Sequence, residues 1–353
     1  MSHGRRSPVT EDTTIGVDLA KNVFEVAISH TPGTIAMRRR LKRARFGAFF
    51  AEQKPAIVVM EACGSAHYWG REFEKMGHEV ILLPPHQVRP YVTRNKTDRC
   101  DAAALLEAHR NESILPVPVK CVEAQSILAL HRARSGWMQR RTGLLNMTRG
   151  FLREYGIFVP VGARQIRLKM EALREEPPQG MPDALRSLLV LVRDELGVLE
   201  SSIADVDELI RTTPQDPAVK RIMTIPGIGI LGASALVATV GDIRRFPSGR
   251  RLASYFGLTP REISSGEHRR LGRINKQGNT YVRTLLTHGA RAALRFAIKG
   301  DAPVDRHREW ARSIAERRGY RVATVALANK NARLAWAAWR TGKTFDELVC
   351  ANA

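Results

Sequence analysis

The sequence predicts an α/β N-terminal domain, a long helical middle and a mainly helical C-terminal part, and three observations carry that prediction. Two short apolar runs rich in β-branched residues, 14–19 and 23–29, stand near the start, with a few polar residues between them. A third run, Ala56-Ile57-Val58-Val59-Met60, is continuously apolar, the pattern of a strand buried on both faces. Beyond about residue 121 the apolar residues recur at helical spacing instead, with prolines punctuating the series.

Taken in order, the two opening strands are followed by a Thr31-Pro32-Gly33 turn and a third strand that begins near Thr34 and runs into Arg38-Arg39-Arg40. A short helix over 44–53 precedes the apolar strand, which Glu61 closes. A helix over 67–76, a Gly77-His78 stop and a strand over 79–83 come next. A basic loop from Arg89 to Lys96 then leads into a helix that starts near Thr97, whose hydroxyl suits an N-cap. Strands first, then helices and strands alternating, indicate an α/β domain. Long helices are expected over 122–155 and 183–212; in the second, positions 192–196–199–203–206–210 form a heptad seam. That seam serves either a helix packed within its own chain or the arm of a coiled-coil dimer. Further helices are expected over 231–240, 280–298 and the basic stretch 306–340.

Charge narrows the function. The chain has 353 residues, with 56 Lys and Arg against 35 Asp and Glu, a formal net charge of +21. A field of that sign selects a polyanion, and nucleic acid is the default partner. The four cysteines form no CxxC pair, which argues against structural zinc and disulfides and points to a reducing cytoplasm. No apolar stretch is long enough for a membrane span, and none follows the N-terminus as a signal peptide would.

Four acids stand out. Asp18 lies within the first apolar run, where a carboxylate is costly to bury without a cation. Glu61 ends a later strand, and Asp98 and Asp101 sit three apart on one helical face. Adjacent strand ends and a helix N-terminus can bring all four together, and Mg²⁺ or Mn²⁺ with oxygen ligands would relieve their repulsion. Asp98 and Asp101 could instead complement a helix dipole, and Glu61 could be a solvated strand end.

The C-terminal part carries the charge. From Asp242 to Arg295 there are 12 Lys or Arg against three acids. The Ile225-Pro226-Gly227-Ile228-Gly229 turn between helices can offer Gly227 and Gly229 amides to a DNA phosphate. Arg250, Arg251, Arg261, Arg269, Arg270, Arg273 and Lys276 surround a Ser264-Ser265-Gly266 segment in a glycine-punctuated loop. Such a loop is a phosphate clamp at the least; a serine hydroxyl held among guanidinium groups could also attack a phosphodiester.

These motifs resemble a known family. Gly16-Val17-Asp18, Met60-Glu61-Ala62 and Asn95-Lys96-Thr97-Asp98-Arg99-Cys100-Asp101-Ala102 are similar to the carboxylate motifs of RNase-H-like domains of the Holliday-resolvase type. Gly257-Leu258-Thr259-Pro260, Ser264-Ser265-Gly266 and Lys276-Gln277-Gly278-Asn279 resemble the C-terminal domain of insertion-sequence transposases with DEDD and serine chemistry, relatives of the Piv-type invertases. The resemblance implies a transposase or site-specific recombinase acting on DNA, with metal at Asp18, Glu61, Asp98 and Asp101. It implies a nucleophile at Ser265, with Ser264 as the alternative. A structured guide RNA and a homodimer or tetramer joined through the helical middle are also implied. The expected division is 13–120 nuclease domain, 121–213 dimerisation region, 214–300 transposase domain and 301–353 basic helical tail. The competing functions are a Holliday-junction-type endonuclease without a covalent serine, and a basic nucleic-acid scaffold whose acids are structural.

Overall fold

The computed structural model describes residues 13–92, 98–266, 268–300 and 305–350, with the backbone alone for 98–100. The described chain forms two compact units, 1–124 with 240–245, and 125–239 with 246–353.

In the first unit, β1 (Thr14–Asp18), β2 (Val23–Ser29) and β3 (Met37–Lys42) form an antiparallel meander. The third strand begins three residues later than the sequence suggests, because Thr31 and Thr34 first close a bridged turn. Helix α1 (Arg43–Ala51) crosses to β4 (Ile57–Glu61), and α2 (Ala66–Lys75) crosses to β5 (Glu79–Leu83). Both later strands run parallel to β1, giving the order β3-β2-β1-β4-β5. This mixed sheet is consistent with the RNase-H-like arrangement that the resemblance implies.

Alternation along the strands explains the covering layers. Ile15, Val17, Val26, Val58 and Met60 face α1 and α2, where Phe24 stacks on Phe46 with ring centroids 4.0 Å apart. The other face is capped, beyond the short α3 (Pro85–Val88), by α4 (Asp98–His109), through Ala102, Ala104, Leu105 and Leu106. With helices on both faces, β4 has to be apolar at every central position. Gly16 allows the close approach of α4, since a Cβ there would lie 2.5 Å from the Ala102 carbonyl oxygen.

The second unit begins in α5 (Val122–Glu154), which folds with α6 (Ala163–Glu175) and α7 (Asp183–Thr212) into an elongated arm. Helices α5 and α7 run antiparallel, tied by Arg134 to Asp207 at 2.5 Å and Arg141 to Glu200 at 2.9 Å. This arrangement places the heptad seam. Val192, Leu196 and Leu199 pack with Leu144, Leu145 and Leu152 of α5 and with Ile166 and Met170 of α6, and Val206 and Ile210 are buried further along. Five of the six seam residues are therefore buried within the chain itself, which favours the packed-helix reading of the seam, while Ile203 is half-buried.

Helices α8 (Pro217–Met223), α9 (Ile230–Val240) and α10 (Gly249–Tyr255) lead into a hairpin of β6 (Pro260–Glu262) and β7 (Leu271–Ile274). Helix α11 (Thr280–Lys299) follows, N-capped by the Asn279 side chain, which accepts from the Val282 amide at 3.1 Å. The tail forms α12 (Arg306–Arg318), α13 (Tyr320–Thr341) and α14 (Phe345–Cys350). It packs as part of this unit, because the alanine-rich face of α13 lies against α8, α10, α11 and α12. Asn331 donates to the Pro226 carbonyl at 2.9 Å, and Trp336 to the Phe246 carbonyl at 2.9 Å.

A buried histidine joins arm and domain. His131 of α5 is 2 % exposed, with Nδ1 3.0 Å from the Tyr281 hydroxyl and Nε2 3.0 Å from Ser234 Oγ. Ser234 itself donates to the Ile230 carbonyl, so Nε2–H donates to Ser234 and Nδ1 accepts from Tyr281, the neutral imidazole. Burial, reinforced by the Arg134 charge, pushes the His131 pKa down to about 4.

No helix among the described residues is long and apolar enough to cross a membrane.

A carboxylate corner and a serine hairpin

In the first unit, Asp18 is the last residue of β1 and Glu61 the last of β4. Their predecessors Val17 and Met60 are partners in the parallel register, so the two acids end adjacent strands side by side. Strand alternation puts Asp18 on the face of Gly16, and Glu61 on the face of Val59, which is the face that α4 covers. Asp101 lies on that helix, immediately before the Ala102 that abuts Gly16. Asp98 begins the same helix, and its side chain lies outside the described residues.

The electrostatics agree with this placement. The half-buried Cys63 thiol, two residues beyond Glu61, is pushed up first by burial and then by the Glu61 and Asp18 carboxylates. A fifth acid, which sequence reasoning missed, stands opposite Asp18: Glu25 is its antiparallel partner on β2 and meets Arg40 at 3.3 Å. The ion pair gives Glu25 a cation of its own. Among the described residues, no three acids, histidines or cysteines stand close enough to hold a metal ion. The donors on the two neighbouring strand ends are carboxylate oxygens, the type a hard divalent cation selects.

In the second unit, the segment read from sequence as a turn-rich loop is the β6–β7 hairpin. Pro260 pairs with Ile274 and Glu262 with Leu271. At its tip Ser265 and His268 exchange backbone hydrogen bonds of 3.3 and 3.2 Å. Gly266 takes the left-handed conformation, φ 57°, that such a tight turn requires.

The two serines differ in what they touch. Ser264 Oγ donates to Glu262 Oε1 at 3.0 Å and accepts from the Arg270 amide at 3.1 Å, so it is used inside the hairpin. Ser265 is exposed at the tip, and among the described residues its hydroxyl has no hydrogen-bond partner. Arg269 pairs with Glu262 at 3.5 Å. Arg261, Arg270, Arg273 and Lys276 are exposed around the hairpin, and Arg250 and Arg251 are exposed on α10. Lys276 holds an uncommon left-handed backbone, φ 57°, with its amide donating to the Gly257 carbonyl at 3.2 Å.

The hairpin is anchored only at its stem. Gly257 and Gly278 both have positive φ, and a Cβ on them would lie 2.3 Å from the Gln277 carbonyl oxygen and 2.0 Å from the Tyr255 carbonyl oxygen. Arg283 of α11 is buried beneath this stem. It donates to the Phe256 carbonyl at 3.1 Å, the Gln277 carbonyl at 2.8 Å and Thr280 Oγ1 at 3.0 Å. A single sequence shows an arginine on a helix; what covers it comes from the stem folding over.

The Pro226-Gly227 pair forms a turn in which the Ile228 amide donates to the Ile225 carbonyl at 2.9 Å, with Gly227 at φ 90°. Gly227 also packs backbone to backbone against Gly289 of α11, where a Cβ would lie 2.6 Å from the Gly289 oxygen. Gly229 is exposed at the start of α9.

Two family models match this chain. Residues 219–304 match the model described as the transposase IS116/IS110/IS902 family, and residues 15–157 match a transposase model of the DEDD type found in insertion sequence IS110. A probable family 20 transposase of Pseudomonas aeruginosa is 42% identical over 325 residues, covering 92% of this chain and 95% of the relative. The transposase for insertion sequence element IS1111A of Coxiella burnetii is 38% identical, covering 97% of this chain and 93% of its own length. The transposase for insertion sequence element IS1328 of Yersinia enterocolitica is 34% identical, covering 95% of this chain and 99% of its own.

Proposed function

The chain belongs to the IS116/IS110/IS902 family of transposases, and from that premise we propose that it cleaves and rejoins DNA strands through a covalent Ser265–phosphate intermediate. The observation that carries this reading is the contrast between the two hydroxyls: Ser264 is bonded twice within its hairpin, while Ser265 stands exposed at the tip among guanidinium groups.

In this reading the Ser265 hydroxyl attacks the scissile phosphorus, loses its proton and displaces the 3′ or 5′ oxygen of the neighbouring nucleotide as the leaving group. Rejoining reverses the exchange with a different strand end, which conserves the phosphodiester. Arg261, Arg270 and Arg273 hold the phosphate oxygens and stabilise their developing charge. Arg250, Arg251, Arg269 and Lys276, with the amides at Gly227 and Gly229, hold the flanking backbone without reading sequence. His268, at the same tip, is a proton acceptor within the hairpin.

Asp18, Glu61, Asp98 and Asp101 are proposed to hold Mg²⁺ or Mn²⁺, which when bound polarises a phosphate and lowers the pKa of a bound hydroxyl. The placement of Asp18 and Glu61 at the ends of the adjacent strands β1 and β4 supports that assignment. The net charge of +21, with the resemblance, supports a structured RNA as a second nucleic-acid partner. A homodimer or tetramer remains part of the proposal, but its arm contact falls on the exposed outer residues of α7, such as Leu191 and Val198, because the seam is already filled. The functional division 13–120, 121–213, 214–300 and 301–353 is kept on the same footing.

The deciding test uses labelled DNA carrying a nicked suicide site, followed by denaturing electrophoresis. Wild type and Ser264→Ala should give a protein–DNA adduct, and Ser265→Ala should give none. An adduct with Ser265→Ala would refute the assignment. Cleavage without any adduct would favour the junction-type endonuclease.

A further inference from the structure

Several arginines of the arm are matched by acids: Arg134 with Asp207, Arg141 and Arg167 with Glu200, Arg140 with Glu195. The corner where α12 turns into α13 is different. Arg308 pairs with Asp305, and Arg312 with Glu309 and Glu316, but there the compensation stops. From Arg317 to Phe345 the chain has seven Lys or Arg and no acid.

Arg317, Arg318 and Arg321 are exposed on both sides of Gly319, whose φ of 86° lets one helix turn into the next with a single residue between them. Tyr320 is 38% exposed, and its hydroxyl donates to the Arg291 carbonyl of α11 at 3.1 Å, which fixes the ring beside that helix. Arg291 and Arg295, one turn apart on α11, are exposed as well. Among the described residues none of these five arginines forms an ion pair. Five exposed arginines on the three helices that meet at this corner, with a half-exposed aromatic ring among those helices, make a positive surface. A strand of phosphates with a base to stack supplies both the charge and the flat partner.

We propose that this α11–α12–α13 corner is a docking surface for an unpaired nucleic-acid strand, with the five arginines on its phosphates and the Tyr320 ring under a base. It lies on other elements than the β6–β7 hairpin and serves to hold a strand rather than to cut it. The inference rests on the reading of the chain as a DNA-handling transposase, but not on the identity of the nucleophile.

The test measures binding of fluorescent 20-mers by the full chain, as single-stranded DNA, single-stranded RNA of the same sequence, and duplex. Arg317→Gln/Arg318→Gln/Arg321→Gln should weaken single-strand binding about tenfold and make the log K against log salt slope shallower by about 2, at roughly 0.7 per lost phosphate contact. The charge-matched control Arg140→Gln/Arg186→Gln/Arg193→Gln, at three ion-paired arginines of the arm, should change neither. Tyr320→Ala should weaken single-strand binding severalfold, and Tyr320→Phe should restore it, since the ring and not the hydroxyl does the stacking. The DNA and RNA arms tell which strand the corner prefers. An unchanged affinity and slope in the triple variant, an equal loss in the arm control, or a loss confined to duplex would overturn the proposal. Ser265→Ala should bind all three as wild type does, which separates failure of this inference from failure of the serine assignment.

Discussion

Asp18 and Glu61 end strands whose preceding residues, Val17 and Met60, are fully buried, whereas every described residue from Pro260 to Arg273 is exposed. The carboxylates take their positions from a sheet covered on both faces. Displacing one would mean breaking the β1–β4 ladder and pulling Gly16 away from α4. The serine takes its position from a stem of two glycines and a buried arginine, and beyond that stem the hairpin has no core. The difference teaches that the two halves meet different demands. Groups that hold a charge cluster need fixed spacing, because a carboxylate displaced by an ångström loses its ligand geometry. A group that attacks a strand, the role proposed for Ser265, has to project from the surface, and only its root must be rigid.

The largest effect should come from the rigid side. Asp18→Ala removes a carboxylate without opening the core, and strand cleavage should fall on the order of 10³-fold, the several kcal/mol that metal-assisted polarisation supplies. DNA retention should stay within about twofold, since the basic surface that carries it is untouched. A gel assay that reads cleavage and binding on the same substrate checks both, and wild-type cleavage by this variant would remove the corner from the mechanism.

Next comes the hairpin's root. Gly278→Ala has to fit a Cβ against the Tyr255 carbonyl in a left-handed backbone, and it should cost about 3 kcal/mol or more, read as a lower midpoint in urea. If the substitution is silent, the stem is not the rigid element argued here.

The third prediction separates the two units by pH. His131 is neutral in the fold and titrates near 4, below its ordinary value of about 6.5, so its contribution is complete above pH 6.5 and is lost as pH falls from 6.5 toward 4. The groups around it are Ser234 of α9, Tyr281 of α11, Arg134 of its own helix and Asp207 of α7. The loss should approach about 3 kcal/mol and appear as faster amide exchange in α5, α9 and α11, while β1 and β4 stay protected. His131→Gln should flatten that part of the profile.

The smallest effect belongs to the tip. Gly266→Ala has open space for its methyl group and meets only the left-handed backbone, so it should cost about 1 kcal/mol in stability. A cost equal to that of Gly278→Ala would erase the distinction between stem and tip.

How much of this was legible beforehand varies by element. The alternation in β1 and β2, the continuous apolar run of β4 and the long periodic helices α5, α7 and α11 were all evident, because each is a local pattern with its own period. Asp18 and Glu61 could be singled out for the same reason: an acid that interrupts or ends an apolar strand is conspicuous in the chain. Glu25 was not, since an acid in an alternating strand looks solvated until the register sets it opposite Asp18. Helix α10 was missed within a glycine-rich stretch that looked like loop throughout.

By itself the sequence determined the strands of the five-stranded sheet and the long helices, the positive field and the pair of serines, all of which depend on residue type and short-range spacing. Only the tertiary structure decided between partners. It packed Val192, Leu196 and Leu199 of the seam against α5 and α6, buried Arg283 under the hairpin stem, and closed His131 between Ser234 and Tyr281. It also tied up Ser264 while leaving Ser265 at the tip. The physical reason is common to the first three, since Ser264 bonds only to near neighbours in its own hairpin. A period says which side of an element wants company, but the choice of company is made by contacts between residues far apart in the chain, where burial and hydrogen-bond geometry select one pairing among many that the composition allows.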